Sequence, residues 1–175
     1  MEYWYVLFVL TTKETRFVEL INKENNSDIN AFIPKKKRYF RQKGIATMIE
    51  EVLFPGYVFI ESNLMMTDFS VYVSNSLKTK SGFIKLLGKK TDSDYISVLP
   101  EERKWLEQFT NKKKVIESSF GYIEGDQIVI TDGPLIGYES KIVRINRHKR
   151  KVDIEVQMFN ETQVVSLPCE IVSKV

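Results

Sequence analysis

Cysteine is nearly absent from this chain: Cys169 is the only one in 175 residues. A lone thiol closes no intramolecular disulfide and builds no cysteine zinc cluster; it is expected to fill a small apolar site near the C-terminus. Histidine is as scarce. His148 stands alone in a run of arginine and lysine, a poor place for the general base of a Ser-His-Asp arrangement. No group of His, Cys and carboxylates has metal-ligand spacing. No glycine-rich phosphate loop of the GxxxxGK[ST] or GxGxxG kind occurs. The acidic pairs Glu50-Glu51 and Glu101-Glu102 are adjacent, and adjacent side chains on a strand or helix point apart. The chain therefore offers little to an enzyme, and no metal or cofactor is expected. Long apolar runs are also missing. The stretch 3–10 is too short to cross a bilayer. Glu2 stands where a signal peptide would be basic, and no small-residue cleavage site follows. The expected location is the cytoplasm, with no membrane partner.

What is present is organised around Leu53-Phe54-Pro55-Gly56-Tyr57-Val58-Phe59-Ile60-Glu61. Pro55 fixes φ and lacks an N–H, and Gly56 adopts whatever φ the bend needs. The aromatic and β-branched run after them reads as a buried strand. Phe54 and Tyr57 flank this corner, either as core or as an aromatic patch presented to a partner. Net charge is only +3, yet the cations cluster at Lys35-Lys36-Lys37-Arg38, Lys112-Lys113-Lys114 and Arg147-His148-Lys149-Arg150-Lys151. Such runs are solvated surface or nucleic-acid patches.

Taken in order, residues 3–10 read as a strand, and Thr11-x-x-Glu14 fits a capping box. Phe17, Leu20 and Ile21 mark one helix face, ended by Asn25-Asn26-Ser27-Asp28. Ala31–Pro34 begins a second strand, and the basic segment 35–43 with Gly44 suggests a hairpin or mobile loop. Residues 50–60 return as strands around the corner. A helix starts near Thr67-Asp68, 83–87 is a short strand, and Pro100-Glu101-Glu102 suits the first turn of a helix carrying Trp105, Leu106 and Phe109. The order βαββαβα predicts an α+β domain over 1–110. Residues 111–119, polar and without period, read as a linker. Beyond it, short strands and turns suggest a small barrel over 120–175, with Val152, Ile154, Val156 and Met158 alternating with polar residues.

The turn 146–151 lies between two of those strands, so its cations project together. That concentration suits phosphate contact through charge-assisted hydrogen bonds and counterion release. Arginines there can also read base edges. With the preceding Arg144, the candidate RNA-binding set is Arg144, Asn146, Arg147, His148, Lys149, Arg150 and Lys151. The bland alternative is a solubilising turn.

Two stretches resemble the NusG family of transcription elongation factors. One carries Trp4-Tyr5-Val6, Phe54-Pro55-Gly56-Tyr57-Val58 and Leu99-Pro100-Glu101-Glu102. The other resembles the KOW motif, from Gly125-Asp126 through Gly133 to Gly137-Tyr138-Glu139, then Phe159-Asn160-Glu161-Thr162. The resemblance implies an N-terminal NGN domain, an antiparallel sheet with packed helices, and a C-terminal SH3-like KOW β-barrel. It implies docking on the β′ clamp helices of RNA polymerase, with Trp4, Phe54 and Tyr57 carrying the patch by position, in a monomer that modifies pausing or termination. Ser140 replaces the glycine expected after Glu139, so that turn must tolerate a side chain. The basic 146–151 turn and 35–41 stretch look like the LoaP-like specialised antiterminator branch, whose members bind an RNA hairpin. Two other readings stand beside this one. One is a general factor whose KOW domain binds protein partners. The other is a stand-alone KOW RNA-binding or ribosome-associated protein.

Overall fold

The computed structural model describes residues 1–90, 95–96, 98–159 and 161–174; Asn160 of the expected last hairpin lies outside them. The first elements are β1 (Tyr3–Val9), α1 (Glu14–Asn22), β2 (Ile29–Phe32), β3 (Lys35–Gln42), β4 (Ile45–Val52), β5 (Tyr57–Ser62), α2 (Met66–Tyr72), β6 (Phe83–Leu87), β7 (Lys89–Lys90), β8 (Tyr95–Ile96) and α3 (Pro100–Phe109). Then follow β9 (Val115–Ile116), β10 (Ser119–Glu124), β11 (Gln127–Asp132), β12 (Ile142–Asn146), β13 (Lys151–Met158) and β14 (Glu161–Lys174). The class is α+β, as expected. Among the described residues no helix is long and apolar enough to cross a membrane.

Two compact units emerge. The first comprises Met1–Ile33 and Phe54–Arg103. Its sheet has the order β2-β5-β1-β6, with antiparallel neighbours. Val6, Leu7, Val9, Val58, Phe59 and Ile60 fill it because aromatic and branched side chains pack on a pleated surface. Helix α1 buries Phe17 and Ile21 at the predicted spacing, together with Glu14. The capping box does not form. Lys13 occupies the N-cap position without a side-chain bond. The Glu14 carboxylate reaches across instead to accept the Gly56 N–H at 2.6 Å. Helix α2 passes into a π-helical turn, Val73–Leu77, closed by the Lys78 N–H on the Val73 carbonyl. Phe69 on α2 stacks on Tyr5, ring centroids 3.9 Å apart.

The second unit comprises Pro34–Leu53 and Lys104–Val175. Strands β3 and β4 form a hairpin over eight residue pairs, joined by Lys43 and Gly44, both at positive φ; this is the two-residue turn that matches strand twist. The expected linker contains β9. Val115 and Ile116 are buried and pair in parallel with Lys35 and Lys36, because two consecutive apolar side chains in a polar stretch gain most by burial. The remaining strands form one sheet in the order β11-β10-β14-β13-β12. Strand β10, not read from the sequence, pairs in parallel with β14 from Ser119↔Cys169 onward. Along β13, Val152, Ile154, Val156 and Met158 are all buried as expected, but Asp153, expected on the polar face, is buried too, because it bonds to Ser166 and Lys151. Ser140 lies in a 3-10 turn, Glu139–Lys141, and is not among the residues at positive φ, so its side chain is accommodated. The compact units thus differ from the boundaries drawn on sequence, since the 34–53 hairpin groups with the C-terminal strands.

Candidate nucleic-acid interface

The basic turn is built by β12 and β13, which pair to Asn146↔Lys151. Asn146 Oδ1 accepts the Lys149 N–H at 2.9 Å, and the Arg147 carbonyl accepts the Arg150 N–H at 3.2 Å. Arg150 takes the left-handed φ of 48° that closes the turn. Its carbonyl accepts the Cys169 N–H at 3.0 Å, which ties the turn to β14. Asn146 therefore serves the turn's own backbone. Cys169 is 1% exposed, and burial pushes its thiol up to about 11. Iodoacetamide at neutral pH is expected to leave Cys169 unmodified in the folded chain and to alkylate it in denaturant, read by intact mass. Rapid labelling of the native chain would contradict this packing.

Residues 36–41 of β3 and the turn 147–151 line a cleft of about 720 Å³. Lys36 donates to the Ser166 carbonyl at 2.8 Å. Burial, opposed by Glu51 and aided by Lys151 and Arg38, pushes its ammonium below the usual lysine range. Lys151 donates to Ser166 Oγ at 2.7 Å and lies 3.3 Å from Asp153, and the Ser166 hydroxyl also donates to Asp153. Burial alone would raise the Asp153 carboxyl. The Ser166 hydroxyl and the Lys151 ammonium outweigh it and hold the group below the usual carboxylate range. Arg150 stacks its guanidinium 4.3 Å over the Tyr39 ring and bonds Glu170 at 3.2 Å.

The candidate set accordingly divides. Arg147, His148 and Lys149 are exposed and, among the described residues, have no side-chain hydrogen bond or ion pair. Arg150 and Lys151 are held by the protein itself. Arg144 is exposed on β12 but lines a different groove, of about 610 Å³, with Asp126, Gln127 and Glu139 beside the exposed Val143 and Ile145. Tyr39, Ser166 and Glu170 were not read from the sequence. For Tyr39 a signal existed, the aromatic pair inside Lys35–Arg41; Ser166 and Glu170 carry none.

The aromatic candidates lie in the first unit. Trp4 is 6% exposed and Phe54 4%. Trp4 sits edge-on to Phe32 at 5.1 Å, with the Arg103 guanidinium 5.0 Å over its ring. Phe54 lies 6.4 Å from Phe59. Both rings back the sheet from inside. Tyr57 is half-buried, against Phe8 at 5.3 Å, so of the three it alone is not fully buried.

Residues 2–107 match the family model described as transcription termination factor nusG. The transcription termination/antitermination protein NusG of Staphylococcus epidermidis is 26% identical over 178 residues, spanning 98% of this chain and 94% of that protein. The protein of the same name from Borreliella burgdorferi is 25% identical over 183 residues, spanning 98% of each. A solved structure described as "Domain interaction in Thermotoga maritima NusG" aligns with a TM-score of 0.51 at 21% identity, over 95% of this chain and 93% of that one. At that identity the likeness concerns the fold, an α+β arrangement of NGN and KOW parts. With more than half of its length matched by the family model, this chain belongs to the NusG family of transcription factors.

Proposed function

We propose that this chain is a specialised, LoaP-like antitermination factor. In this reading residues 1–110 dock on the β′ clamp helices of RNA polymerase, and residues 120–175 contact RNA, in a monomer. The observation that carries the RNA assignment is the pair of exposed cations Arg147 and Lys149, with His148 between them, which no acid of the described chain neutralises. Unpaired cations on a fixed turn meet phosphates without first breaking an internal bond. The family match over 2–107 weighs against a stand-alone KOW protein. A second reading, a general factor whose KOW part binds proteins, is favoured by the groove flanked by exposed Val143 and Ile145. Transcription in vitro through a terminator, with and without leader RNA carrying a hairpin, tests the proposal. Readthrough that needs both protein and leader is expected. Equal readthrough without the leader would favour the general factor.

The docking assignment has its own test. Tyr57 is the aromatic of the corner that a partner can reach. Tyr57→Ala is expected to weaken binding to core polymerase by about 2 kcal/mol, in the range of aromatic hot spots, and to leave RNA affinity unchanged. Wild-type polymerase affinity in a folded variant would return Tyr57 to a packing role.

A further inference from the structure

The RNA reading rests so far on one turn, but the cleft has two walls. The cations of β3 divide as those of the turn do. Lys36 is held by Ser166, Lys37 by Glu117 at 2.6 Å and Arg38 by Glu51 at 2.5 Å. Arg41 is exposed, lines the same cleft, and has no side-chain hydrogen bond or ion pair among the described residues. It stands two residues beyond Tyr39, so the two side chains share a strand face. The Tyr39 ring is in turn held under the Arg150 guanidinium. Lys36, through Ser166, and Arg150, through Tyr39, therefore join the walls, and unpaired cations remain on both sides of the opening.

We propose that Arg41 is an RNA-binding residue, gripping the phosphate backbone from the β3 wall while Arg147, His148 and Lys149 hold it from the turn. Tyr39 is a positioning residue, which fixes the separation of the walls through its stack with Arg150. This deepens the RNA reading above and depends on it. The Arg41 contact in this proposal is to the phosphate backbone and is indifferent to sequence.

The test is binding of the full chain to a pool of fluorescently labelled RNA hairpins with randomised loops, across a salt series, beside the matching DNA pool. Arg41→Ala is expected to weaken binding several-fold and to reduce the salt slope by about 0.7–0.9, the signature of one lost phosphate contact. Arg41→Lys should keep the wild-type slope. Tyr39→Leu should weaken binding with the slope unchanged, and Tyr39→Phe, which keeps the stacking ring, should restore it. If Arg41→Ala matches wild type in affinity and slope while Arg147→Ala binds weakly, the turn acts alone and this inference falls, with the RNA reading intact. If the wild-type chain binds no hairpin, both fall. Tighter binding of the DNA pool would overturn RNA as the occupant.

Discussion

Gly56→Ala is expected to destabilise the chain by roughly 2–4 kcal/mol, combining a strained backbone with an overpacked site. Gly56 holds φ at +86°, and a Cβ there would lie 2.8 Å from Phe8 Cε2 and 3.3 Å from the Val9 carbonyl oxygen. Neither neighbour yields freely. Phe8 is packed against Tyr57, and the Val9 backbone is fixed by donating to the Gly56 carbonyl at 2.8 Å. The Gly56 N–H is itself held by the buried Glu14 carboxylate. Gly44 supplies the control. Its φ is +83°, but a Cβ there would meet nothing within 4 Å, so Gly44→Ala should show strain alone, about 1 kcal/mol. Denaturant unfolding of both variants measures the difference. Equal losses would mean that the crowding around Gly56 relaxes at no cost.

The second large effect concerns RNA. The double variant Arg147→Glu with Lys149→Glu is expected to lose roughly a hundredfold or more in RNA affinity, since each charge-assisted bond is worth about 1.5–3 kcal/mol. Its salt slope should fall by about 1.4–1.8, the loss of two phosphate contacts. Both side chains are exposed and have no side-chain partner among the described residues, so stability should stay within about 0.5 kcal/mol of wild type. Polymerase binding should not change, because the proposed docking residues belong to the other unit. Fluorescence anisotropy over a salt series gives affinity and slope together. Undiminished RNA binding by this variant would reduce the turn to a solubilising device.

Much of the framework was legible because it is local. The period of two along Val152–Met158, the spacing of Phe17 and Ile21, and Pro100 at the start of α3 each follow from neighbouring residues. The elements that escaped lack such signals. Strand β10 leaves Phe120 39% exposed and carries Gly121 between two aromatics, so it shows no clean alternation. Strand β9 is two residues long. Glu14 looked like half of a capping box because its partner, Gly56, is 42 positions away. The site follows the same rule. The density of cations in the turn was visible, but which of them are spoken for was not. That depends on Ser166, Glu170, Glu117 and Tyr39, and the Lys36 to Ser166 bond alone spans 130 positions. Trp4 and Phe54 carry no mark distinguishing a ring that faces a partner from one that backs the sheet.

Strand β14 has a consequence for how the protein comes into being on the ribosome. It is the central strand of its sheet, between β10 and β13, and also the last of the five to be synthesised. Until it emerges, β10–β11 and β12–β13 are two separate hairpins, each marginal by itself. The parallel pairing of Ser119 with Cys169 must then close a long loop, the slow kind of contact. Ser166 and the Cys169 N–H, which anchor Lys36 and Arg150, arrive with that same strand. The sheet of Met1–Ile33 and Phe54–Arg103 needs nothing so late. Translation therefore supplies every strand of the first unit's sheet while the basic cleft is still in two halves, and the cleft closes only once β14 has been made.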